Sequence, residues 1–101
     1  MILIYVTHKN MEEAKKVVYY LLGKGLIACA NFFNMESCFR WENKIEMEKE
    51  VVTILKTKDK NWNEVKEEIK KIHSYQLPCI IKISADCNKE FDDWVNLETK
   101  K

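Results

Sequence analysis

The run Phe39-Arg40-Trp41-Glu42-Asn43-Lys44-Ile45, leading into Glu50-Val51-Val52-Thr53-Ile54-Leu55-Lys56-Thr57, decides the fold. Asn tolerates the positive φ that a tight hairpin turn demands, so Glu42-Asn43 is read as the turn apex. An aromatic, charged strand enters this turn and a long strand leaves it. The returning strand first alternates and carries Lys44, Glu46, Glu48 and Glu50, then becomes almost wholly apolar from Val51 to Leu55. One strand thus starts as an exposed ribbon and finishes inside a core. That shape speaks of assembly more than of chemistry.

Composition narrows the class. At 101 residues, 47% hydrophobic and 33% charged, the chain is one globular domain (1–101) rather than a disordered segment. Two glycines and one proline leave room for long regular elements and few irregular loops. A formal charge of +1 gives no sign of a polyanion partner. The opening Met1-Ile2-Leu3-Ile4-Tyr5-Val6 run is too short for a signal or membrane segment and no basic stretch precedes it, so a cytoplasmic location and no membrane partner are expected. The four cysteines, at 29, 38, 79 and 87, form no C-x-x-C pair and read as free thiols in a reducing compartment.

Outward from the hairpin Ser37–Leu55, the elements follow in order. Ile2 to Thr7 reads as a strand. Asn10 with Glu13 resembles a capping box for a helix through Leu22, with Met11, Ala14, Val18, Leu21 and Leu22 on one face and Val17 beside them. Gly23 and Gly25 end it, and Leu26 to Phe33 forms the next strand. Thr57 or Asp59 is placed to cap a second helix carrying Trp62, Val65, Ile69 and Ile72 inward, with Glu67 and Lys71 paired outside. Pro78 precedes a strand Cys79–Ala85. A short helix after Asn88 turns Phe91, Trp94 and Val95 inward.

The order strand, helix, strand, strand, helix, strand is the split βαβ plan, so the expected class is α+β, a ferredoxin-like βαββαβ fold with an extended β-hairpin and a short C-terminal helix. Right-handed crossovers put both main helices on one face of the sheet. Yet Ile2, Ile4 and Val6 alternate with Leu3, Tyr5 and Thr7, and Val51 and Leu55 with Val52 and Ile54. Both faces are apolar and helices cover only one. A second copy of the chain is the simplest cover for the other.

Thr7 with Asn10-Met11-Glu12-Glu13-Ala14; Gly25-Leu26-Ile27-Ala28-Cys29-Ala30-Asn31; Phe39 to Ile45; Glu50 to Thr57; His73-Ser74-Tyr75-Gln76-Leu77-Pro78; and the Trp94 segment, in this order and spacing, resemble the CutA family of divalent-cation tolerance proteins over essentially the whole chain. The resemblance implies a homotrimer of ferredoxin-like subunits, involvement in the response to metal ions, and copper or another divalent cation as the bound species, with no organic cofactor. The family usually has His-Pro-Tyr-Glu where His73-Ser74-Tyr75-Gln76 stands, Glu where Cys79 stands, and Gly where Asn43 stands. Replacing carboxylates by Gln76 and Cys79 shifts donor character from hard oxygen to soft sulfur, toward Cu(I) or Zn.

Candidate metal ligands are Cys29, His73 and Cys79, with Cys38, Cys87 and His8 behind them. None is spaced as a local chelate, so a site must be assembled by the fold or between subunits. Cys29 reads more simply as a small core residue, and His73 as a helix-terminal dipole partner. Trp41, Lys44, Lys56, Tyr75 and Trp94 combine flat aromatic surface with cations, and are expected at a ligand cleft or, more simply, a subunit interface. The resemblance implies, by analogy with the trimeric PII proteins, a small-ligand or protein-anchoring module as the alternative function.

Catalysis is not expected. Thr7-His8-Lys9-Asn10 lacks the glycines of a phosphate-cradling loop, and no nucleophile–base–orienter set is visible. The Glu46, Glu48, Glu50 alternation is explained by solvated charge guarding a sheet edge. Nucleic acid is excluded as a partner because the central strands are aliphatic, without the basic and aromatic residues that stack bases.

Overall fold

The computed structural model describes residues Met1–Thr99. Its elements are β1 (Ile2–His8), α1 (Met11–Gly23), β2 (Cys29–Trp41), β3 (Lys44–Thr57), a single 3-10 turn (Asp59–Asn61), α2 (Trp62–Ile72), β4 (Ile80–Ser84) and α3 (Lys89–Glu98). The strands form one antiparallel sheet in the order β2-β3-β1-β4. This is the βαββαβ plan, with each strand of a βαβ crossover separated from its partner by an inserted strand.

The hairpin dominates the shape. β2 and β3 pair without interruption from Cys29↔Lys56 to Trp41↔Lys44, so the hairpin is longer than the expected Ser37–Leu55. β1 accompanies β3 only as far as His8↔Val51. Beyond that point residues 35–50 project as a two-stranded arm, giving the chain a long axis of 45 Å against 25 and 21 Å. The turn has Glu42 at φ 49° and Asn43 at φ 66°, both left-handed, as a two-residue hairpin turn requires. A β-branched side chain is poorly tolerated there, at a cost of about 1–2 kcal/mol. Asn43→Val is therefore expected to lower the midpoint of thermal unfolding by roughly 5–10 °C, and Asn43→Gly to leave it unchanged or higher, read by calorimetry.

The core lies on one face. Ile2, Ile4, Val6 and Leu55 meet Val17, Val18 and Leu21 of α1 and Val65 and Ile69 of α2, all essentially without solvent contact. Asn10 Oδ1 accepts the Glu13 N–H at 2.9 Å, as the capping-box reading expects. Gly25, at φ 69°, turns the chain from α1 toward β2. The second helix starts differently from expectation. Neither Thr57 nor Asp59 caps it: Thr57 Oγ1 instead donates to the Leu26 carbonyl (2.7 Å), and Asp59 pairs with Lys82 (3.2 Å). Glu67 pairs with Lys70 rather than Lys71, because Lys71 turns toward Glu68 at 2.6 Å. Glu68 also accepts from Tyr20 (2.5 Å), tying α2 to α1.

The opposite face carries Leu3, Tyr5 and Thr7 of β1, Val52, Ile54 and Lys56 of β3, Phe33 of β2, and Ile81 and Ile83 of β4, aligned by register. Phe33, Ile81 and Ile83 remain 53, 48 and 43% exposed. Among the described helices, α3 approaches this face, where the Phe91 ring lies 5.5 Å from the Lys56 ammonium. Val95 is fully buried, but Trp94 is 41% exposed and packs on Phe91 rather than turning inward.

Candidate functional site

The end of β1 and the α2–β4 connection meet in a polar cluster. His8 continues the inward parity of Ile2, Ile4 and Val6, so a titratable ring is carried into the core without solvent exposure. Its Nε2 lies 2.8 Å from Thr53 Oγ1, and its Nδ1 has no hydrogen-bond partner among the described residues. An unpaired N–H costs more than an idle lone pair, which assigns the proton to Nε2. His73, the residue that ends α2, stacks on His8 with centroids 5.3 Å apart. Burial, and then the neighbouring His73, push the His8 pKa down to about 4.

His73 is fully engaged. Its Nε2 donates to the Thr7 carbonyl (2.8 Å) and its Nδ1 accepts the Tyr75 N–H (3.0 Å). Neither nitrogen retains a lone pair for a metal in this arrangement. Tyr75 packs against His73 at 4.8 Å, and its hydroxyl donates to Glu50 Oε2. Burial first and that bond second raise the Tyr75 pKa. Glu50 therefore differs from the solvated edge carboxylate expected beside Glu46 and Glu48. Tyr75→Phe is expected to lower stability by about 1 kcal/mol, the scale of one net hydrogen bond, measured by denaturant unfolding.

Cys79, just before β4, lies at this same end, since Ile80 pairs with Val6. Burial and then the Glu50 charge raise its pKa. Cys29 sits elsewhere. It is aligned through Lys56 with Leu3, four residues from Thr7, which is roughly 13 Å along the strands. Burial raises its pKa too, with Lys56 opposing. The three expected metal ligands are thus split, His73 and Cys79 at one end of the sheet and Cys29 at the other. Among the described residues no three His, Cys, Asp or Glu side chains stand close enough to hold a metal ion.

The aromatic and cationic set is divided as well. Trp41 and Lys44 face each other at the arm's tip, six residues and roughly 20 Å from Glu50 and Tyr75. Lys56 and Trp94 share the Cys29 end through Phe91. His8 belongs to the central cluster more firmly than its place behind the other candidates implied. Its strand parity was the available signal.

A model of the CutA1 divalent ion tolerance protein family matches residues 2–98. The chain belongs to the CutA family. The divalent-cation tolerance protein CutA of Pyrococcus horikoshii is 47% identical, with all of both chains covered. A crystal structure of CutA1 from that organism superposes with a TM-score of 0.97 over 100% of each chain. The Archaeoglobus fulgidus CutA is 44% identical over 92% of each chain, and its structure, described as that of a periplasmic protein, gives a TM-score of 0.95. The PII-like CutA of Nostoc, at 24% identity and a TM-score of 0.92 over 98% of this chain and 97% of its own, shares the fold. No helix among the described residues is long and apolar enough to cross a membrane.

Proposed function

We propose that this CutA chain serves divalent-cation tolerance as a homotrimeric, non-catalytic scaffold that binds copper or another divalent cation between subunits in the cytoplasm. The observation that carries this reading is the apolar sheet face turned away from α1 and α2, with Cys29 at one end and Cys79 beside Glu50 at the other. Covering three half-exposed side chains per subunit, Phe33, Ile81 and Ile83, contributes about 1 kcal/mol each. The projecting arm supplies further contact, with Ile45 and Met47 exposed along it. A neighbouring subunit is the means of bringing a Cys29 thiol to a Cys79–Glu50 pair. Metal binding releases the thiol protons, and the ion offsets the burial that otherwise disfavours both thiolates. Trp41, Lys44, Lys56, Tyr75 and Trp94 act here as interface residues.

Calorimetric titration of the reduced protein with zinc, beside Cys29→Ser and Cys79→Ser, tests the shared site. Saturable binding at a fixed ratio per chain, weakened at least tenfold in both variants, is the expected result. Weak binding that both variants retain would instead favour the second reading, a PII-like trimer for a small ligand or protein partner with no metal role. What favours that reading is that both His73 ring nitrogens are already engaged, which removes His73 as a metal ligand.

A further inference from the structure

We draw no further inference here: the strongest candidate, the apolar groove between α1 and the outer edge of β2, lined by Val18, Tyr19, Leu22, Ala30 and Phe32, carries none, because nothing in the structure shows what covers it.

Discussion

Ile81→Asp is expected to dissociate the assembled protein into folded monomers. Ile81 is 48% exposed in the single chain, so a carboxylate there costs the isolated fold little. In the proposed trimer the same position is covered. Burying an unpaired carboxylate costs several kcal/mol, and a symmetric trimer meets that cost three times. The dissociation constant should rise by more than about a thousandfold, since each 1.4 kcal/mol is a factor of ten. Light scattering after size exclusion reads the mass, and circular dichroism checks that the fold survives. Lys16→Asp, on the solvent face of α1, should leave the assembly intact. Dissociation by both substitutions, or by neither, would remove the open sheet face as the reason for assembly.

Acid should weaken the protein through His8. Its pKa falls from 6.5 in the unfolded chain to about 4 in the folded one. Between those values the unfolded state binds the extra proton, so stability is complete above pH 6.5 and declines as the pH falls toward 4. The full linkage is about 3 kcal/mol, since each unit of pKa difference is worth about 1.4 kcal/mol. Protonation adds charge beside His73, 5.3 Å away, and disturbs the tie between Thr7 and the 73–79 segment. Denaturant midpoints measured from pH 7 to 4 should fall more steeply for the natural chain than for His8→Phe, which keeps a ring in the core but cannot titrate. Parallel slopes would place the acid sensitivity on the carboxylates instead.

Much of this architecture is legible in the sequence because its causes are local. The 2.0 and 3.6 periodicities mark strands and helices, Asn10 marks the start of α1, and Glu42-Asn43 marks the hairpin turn. The apolar parity of both faces of β1 is also visible before any coordinates. The capping of α2 is not, because Thr57 has a stronger tertiary use: its hydroxyl and the Asn61 amide share the Leu26 carbonyl from a distant loop. Trp94 was misplaced for a related reason. A 3.6-residue period gives a helix an apolar stripe but does not say whether this subunit or a neighbour covers it. The site was the least legible part. In the sequence Cys29 and Cys79 read alike, as buried free thiols at strand positions, and only the register places them at opposite ends of one sheet. Glu50 looked like Glu46 and Glu48 until the return of the chain brought Tyr75 to it.

The central claim is that three chains close over the sheet face turned away from α1 and α2 and share divalent cations between them. Native mass spectrometry of the reduced protein titrated with copper and zinc reads assembly and metal content together. The account predicts a species of three 12.1 kDa chains that takes up metal in a fixed, saturating ratio. A 12.1 kDa species that binds metal as a monomer would contradict it.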